Sequence, residues 1–434
     1  MNVHSFIFLS GFLFIFQFFL PGQVSGRIIL DINAPSIPRI KIAIPDFKNN
    51  SSEKRHTELA AQLPEILSND LALSGYFTPM DKEAFLENDA SPNLDSIQFR
   101  DWSVIGAELL LKAGYTTIGR SLEVEFRLYD VYRGRLLLGR RFLGKIEEQR
   151  QLMHRVGNEI LRLLTGYRGM FLSRIAFVGN GTGHKEIYMA DFDGHNVEGI
   201  TSDRSIALFP KWSPKGDKLI YNSYRDGGPR LYLKDLKSGR VKGLSARKGL
   251  NIGASWAPDG GSLALTLSHG ENPDIYRIDL EGKIIKRLIN HWGIDVSPSF
   301  SPDGSKIAFV SDRSGSPQIY VWDLSEEKGE RVSFEGKYNT SPAWSSLNRI
   351  AFAGGDEGQR DIYTINPDGG GLRKLTQDQR NNEDPCWSPD GRYLMFSSNR
   401  DGRYSLYLMN ANGQNQRRIT NMKGDQTSPS WSPF

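Results

Sequence analysis

The chain ends at residues 428–434 on SPSWSPF, and the reading of this stretch decides the fold. Free termini are usually polar and mobile, so a terminus carrying Trp431 and Phe434 has to be held by another part of the chain. The same motif recurs upstream as FPKWSP, ASWAPDG, PSFSPDG, PAWSS and PCWSPDG, with its aromatic at Trp212, Trp256, Phe300, Trp344, Trp387 and finally Trp431. The intervals are 44, 44, 44, 43 and 44 residues. A second series runs in step, Tyr188, Tyr232, Tyr276, Tyr320, Tyr363 and Tyr407, each three residues before an Asp or Asn. Two series sharing one period define a repeat architecture.

Between these markers lie short apolar runs such as RIAFV, KLIYN, KIAFVS and YLMFSS, bounded by PDG, SDRSG and NRDG. Strands rich in Ile, Phe and Tyr between tight turns, four to a unit, describe the blade of a β-propeller. Pro-Asp-Gly fits the reversals because Pro presets φ and Gly reaches positive φ. The first unit begins on its second strand at Arg174, and the last motif has no strands after it. Ser428 to Phe434 is therefore expected to pair as the inner strand of the first blade and close a ring of six. The repeated Trp and Tyr are expected to fill the apolar layers between blades. The fourth unit is irregular, with Ser345-Ser346 where others have Pro-Asp-Gly and the next interval one residue shorter.

Ahead of the repeat the pattern changes. IKIAIPDF (40–47) reads as a strand, HTELAAQLPEILSNDLALSG as a helix interrupted or kinked at Pro64, 122–131 and 136–143 as strands, and 146–164 as an amphipathic helix ending at Gly166. The expected organisation is an export signal over 1–26, an α/β N-terminal domain over 27–166 and an all-β six-bladed β-propeller over 167–434, closed by the C-terminal strand. Residues 1–26 contain no Lys, Arg, Asp or Glu, and the apolar block 6–20 would reach only about 22 Å as a helix, short of the roughly 30 Å hydrocarbon core. An export signal cut near Gly26 follows, with an uncleaved anchor as the rival reading.

A formal charge of +4 from 54 basic and 50 acidic residues, with no like-charge run, gives no nucleic-acid footprint. Cys386 is the single cysteine and reads as a buried small hydrophobe. Enzyme signatures are sparse: no G-x-S-x-G, no H-E-x-x-H, no phosphate loop, and histidines at unlike positions of their repeats. The expectation is a non-enzymatic protein without cofactor or metal. An exported propeller lyase acting on acidic oligosaccharides with a channel metal is the alternative.

Five residues before each repeated aromatic stand Ala207, Asn251, Asp295, Asn339, Asn382 and Gln426, expected to ring one channel mouth. The loops between second and third strands, carrying Arg225, Asp226, Asp312, Arg313, Arg400 and Asp401, are expected on the same face. The functional reading is a polar docking face for another protein. Its structural counterpart is satisfaction of turn backbone by Asn and Asp.

At this point the residues resemble the TolB family, periplasmic components of the Tol-Pal system of Gram-negative envelopes. The resemblance rests on RIILDI, IAIPDF, LYDVYRGRLLLGRRF and above all the joint LTGYRGMFLSRIAFV, followed by six units ending on WSPF. It implies a monomeric adaptor that supports outer-membrane integrity and cell division. The propeller face would bind the peptidoglycan-associated lipoprotein Pal through Leu250, Asn251, Gly253, Asp295, Val296, Asn339 and Asn382, with Leu250 departing from the polar aromatic residue of some relatives. The segment Arg27, Ile28, Ile29, Leu30, Asp31 and Ile32 would contact TolA. Some relatives place calcium in the channel, and Asp295 is the one carboxylate of this ring. RIILDI alternates polar and apolar positions, as a segment adding to a partner sheet would.

Overall fold

The computed structural model describes residues 38–52, 55–86, 97–269, 272–356, 358–377 and 379–434. The expected signal and the segment Arg27 to Ile32 lie outside the described residues. The described residues form one six-stranded sheet followed by six four-stranded sheets.

In the front domain the main strand order is Phe77–Pro79, Ile40–Ala43, Leu109–Ile118, Ser121–Asp130, Arg135–Lys145. Ile40–Ala43 runs parallel to both neighbours and the later strands are antiparallel. Helices Leu59–Leu73 and Gln149–Thr165 bury Leu63, Leu67, Leu71, Met153, Val156 and Ile160 in one cluster with Leu122, Val124, Phe126 and Leu128 of the sheet. Pro64 lies inside its helix without ending it. A proline leaves the carbonyl four residues back without its helical donor. Here the Ala60 carbonyl accepts from Phe47 N–H at 2.9 Å instead. The second helix stops at Gly166, whose left-handed φ of 79° suits a glycine cap.

The central strand Leu109–Ile118 is one that the sequence reading passed over. Its first seven residues are all buried. A strand covered on both faces loses the alternation by which half-buried strands are recognised.

Each blade orders its strands consecutively from the inside out, except the first, where Gln426–Trp431 precedes Arg174–Gly179, Glu186–Asp191 and Glu198–Gly199. Trp431 stands opposite Ile175 and Ser430 opposite Ala176. The terminus is thus the inner strand of the first blade, as its motif implied. In the irregular unit the turn is one residue shorter: Ser345 N–H bonds Arg349 O, whereas Ser213 N–H bonds Lys218 O in a regular unit. Asn348 takes the positive φ, 58°, that glycine supplies elsewhere.

The repeated aromatics divide their work in a way the sequence did not separate. Five of the six repeated Tyr face an aromatic of the second strand within their own blade, as Phe177 and Tyr188 do at 5.9 Å and Phe396 and Tyr407 at 5.9 Å, while Tyr276 stands opposite Leu265. Three of the Trp residues link neighbouring blades: Trp212, Trp256 and Trp387 Nε1 donate to the carbonyls of Ser430, Lys211 and Ala343 on the preceding inner strands, whereas Trp344 Nε1 donates to Asn348 Oδ1 in its own turn.

Candidate functional site: the open mouth of the propeller

Strand alternation gives the ring two faces. One carries the turns after the inner strands, and the front domain docks on it at the first and last blades: Asn415 Nδ2 donates to Ala72 O and Leu73 O, and Tyr393 OH to Ser74 O. The core of the front domain continues through Phe171 and Phe192 to Tyr393 and Trp431 of the propeller. The opposite face carries the loops that feed the inner strands.

On that open face every inner strand is kinked at the same place. The register shifts two residues after each strand-initial position, and Phe209, Gly253, Ser297, Ser341, Asp384 and Ser428 all take φ between 50° and 65°. Such bulges turn a side chain or backbone out of the ladder. Together with Pro210, Pro298, Pro342, Pro385 and Pro429 they line a central cavity of about 170 Å³.

The residues singled out in the sequence fall into two groups here. Leu250, Gly253 and Val296 are half-buried at the mouth. Asn251, Asp295, Asn339 and Asn382 are no more than 1% exposed, so an exposed polar ring is corrected to a buried one. The reason is hydrogen bonding. Asn251 Nδ2 donates to Arg247 O and Gly249 O while its Oδ1 accepts from Ser245 Oγ and Arg247 N, tying the feeding loop to the strand. Asn339, Asn382 and Gln426 each donate to a backbone carbonyl of their own feeding loops, of Glu335, Arg380 and Gly424. Asp295 receives both bonds of Arg313 Nη2, at 2.9 and 3.0 Å, and that guanidinium lies over Tyr320 at 4.9 Å. Arg400 repeats the arrangement between Asn382 and Tyr407. The charged loop residues thus build the face and do not all present themselves on it.

Beside exposed charged residues such as Arg204, Lys248, Glu335 and Lys337, the mouth exposes a set of apolar side chains. Ile206, Phe209, Trp292, Ile294, Phe334 and Tyr338 are between 36% and 70% exposed, and all lie in or beside the loops feeding the inner strands. Sequence reasoning missed them because loop aromatics carry no periodicity. It also missed Asp384, the carboxylate lining the central cavity, which accepts from Ser341 Oγ at 3.1 Å and Ser428 Oγ at 2.9 Å on the blades to either side. Asp295, turned onto Arg313, is not a channel ligand. Among the described residues no histidine lines the cavity: His269 packs on Tyr276 and His291 accepts from Gly293 N–H.

A ring-closed propeller with an α/β domain docked on one face and apolar side chains exposed on the other has the form of a scaffold rather than a bare enzyme pocket. The comparisons place it further: residues 161–434 match the TolB beta propeller domain and residues 28–137 the TolB amino-terminal domain. The chain belongs to the TolB family. It is 41% identical over 200 residues to the Tol-Pal system protein TolB of Desulfosudis oleivorans, a stretch covering 46% of each chain. With the Tol-Pal system protein TolB of Syntrophotalea carbinolica it shares 46% identity over 164 residues, 37% of this chain and 38% of that one. These matches span less than half the length of the curated relatives. The crystal structure of TolB from Acinetobacter baumannii superposes with a TM-score of 0.80 at 30% identity, covering 92% of this chain and 97% of that one. No helix among the described residues is long and apolar enough to cross a membrane.

Proposed function

We propose that this chain is a non-enzymatic periplasmic adaptor of the Tol-Pal system, binding Pal by the open mouth and TolA by Arg27 to Ile32. The system is that of its curated relatives, which bear the name Tol-Pal system protein TolB. The observation that carries the Pal reading is the set of exposed apolar side chains around one mouth, opposite the face that the front domain covers. Leu250, Gly253 and Val296 contact the partner directly, whereas Asn251, Asp295, Asn339 and Asn382 hold the loops in shape. Aromatic anchors on a preorganised rim are where binding energy concentrates.

The test is capture of the soluble domain of Pal by the purified chain. Trp292→Ala with Phe334→Ala is expected to weaken binding by about tenfold or more, equivalent to at least about 1.4 kcal/mol, without lowering thermal stability. Unchanged capture would remove the mouth as the Pal site. Deleting residues 27–32 is expected to abolish TolA binding and leave Pal capture intact; retained TolA binding would move that site elsewhere.

A further inference from the structure

Where the front domain meets the first blade, four charged or titratable side chains are shut away together. Asp70 comes from helix Leu59–Leu73, Arg150 and His154 stand four residues apart on helix Gln149–Thr165, and Asp193 follows the blade strand Glu186–Asp191. Asp70 and His154 are 0% and 2% exposed. His154 Nδ1 lies 2.7 Å from Asp70 Oδ2, and Arg150 pairs with Asp193 across the joint. His195, on the solvent side, reaches Asp193 Oδ1 at 3.2 Å. The rest of the wall is aromatic: the His154 ring meets Phe192 edge-on at 5.5 Å, and Phe171 packs on Phe192 at 5.3 Å. Asp70 Oδ1 and His154 Nε2 have no hydrogen-bond partner.

The charges can be counted. Arg150 and Asp193 cancel. One proton on the Asp70–His154 pair leaves the whole cluster neutral wherever that proton sits, its loss leaves one negative charge, and a second proton leaves one positive charge. An unpaired charge in such surroundings is expensive. A divalent cation is a poor occupant, because Arg150 already neutralises Asp193 and its own charge would repel the ion.

We propose that the joint between the two domains is a proton-coupled latch, in which a proton held by Asp70 and His154 beside the Arg150–Asp193 pair tightens docking and its loss loosens it. Burial pushes the Asp70 carboxyl up to about 6, against the hydrogen bond and charge of His154 and the charge of Arg150, with Asp193 adding to the rise. A carboxyl raised in the docked state binds its proton more tightly there than in water. Its stabilising contribution is therefore complete below the ordinary aspartate range and is lost as pH rises through about 6.

The experiment compares the full chain with Asp70→Asn between about pH 4.5 and 7.5, reading hydrogen exchange of the joint segment 166–173 and the Tm. At each pH the intrinsic exchange rate is common to both proteins, so the difference reports the latch. The variant, which carries no carboxylate at position 70, is expected to be better protected than the wild type near pH 7 and to converge with it toward pH 4.5. A variant less protected at pH 7, or a difference that does not shrink as pH falls, overturns the proposal. A carbon-13 aspartate titration of the wild-type chain decides the matter even if the variant fails to fold. With the resonances assigned, so that Asp70 is told apart from Asp274 and Asp390, which burial also raises, the Asp70 carboxyl is expected to have a midpoint near 6, and a midpoint below about pH 5 sinks the latch.

Discussion

Trp431 Nε1 donates a 2.7 Å hydrogen bond to Ser173 Oγ, joining positions 258 residues apart where the propeller's last strand meets the linker from the front domain. The Ser432 Oγ beside it accepts from Arg174 N–H at 2.9 Å. Ring closure and domain docking therefore share one knot, and its residues are the ones whose loss is felt by both domains.

Trp431→Ala removes an 8%-exposed indole from the cluster that runs through both domains. The expected cost is about 3–5 kcal/mol in urea denaturation, with both domains' transitions shifted. A shift confined to one domain, or below about 1 kcal/mol, would count against a shared core.

The Asp295–Arg313 pair is structural. Arg313→Gln strands a carboxylate that is 0% exposed and should cost about 3–5 kcal/mol, while adding Asp295→Asn to it should restore part of that loss. Denaturation of the two variants reads the difference directly, and equal destabilisation of both would show that the charge of Asp295 is not what Arg313 answers.

Two glycines with positive φ separate backbone strain from collision. At Gly253 an added Cβ would meet nothing nearer than Ser297 Cα at 3.7 Å, and five other blades hold a non-glycine residue in the same bulge. Gly253→Ala should cost only about 1–2 kcal/mol. At Gly282 the Cβ would stand 2.0 Å from Leu244 O, so Gly282→Ala must displace the outer strand of the neighbouring blade and should cost clearly more. Paired melting curves settle the order.

Burial pushes the Cys386 thiol up to about 12, so it carries almost no thiolate at neutral pH. Thiol reagents should leave the native chain unlabelled over hours and modify it stoichiometrically in guanidinium. Rapid native labelling would mean that the inner strand Asn382–Trp387 opens locally.

The periodic part of the chain could be read in advance because its constraint is local. A Trp that must reach the preceding blade, a Tyr that must stack on its neighbouring strand and a glycine that must turn through positive φ each recur at fixed offsets, and the missing strand of the first unit is visible as the surplus strand of the last. The front domain was legible at its amphipathic helix, where apolar positions alternate with charge, and illegible at Leu109–Ile118, where burial on both faces erases the pattern. At the strand ends singled out in the sequence, Asn251, Asp295, Asn339 and Asn382 turned out buried, because their hydrogen-bond partners lie in loops that the sequence does not place beside them.

Sequence alone determined the number of blades, the strand that closes them and the family to which the chain belongs, because these depend on spacing along one dimension. Only the tertiary structure decided that Asn251, Asp295, Asn339 and Asn382 face inward, that the front domain docks on the opposite face, and that Asp70, His154, Arg150 and Asp193 meet at the joint. Whether a polar side chain faces water or a buried partner depends on what lies across from it in space, and the partners of Asp70 come from 80 and more residues away along the chain.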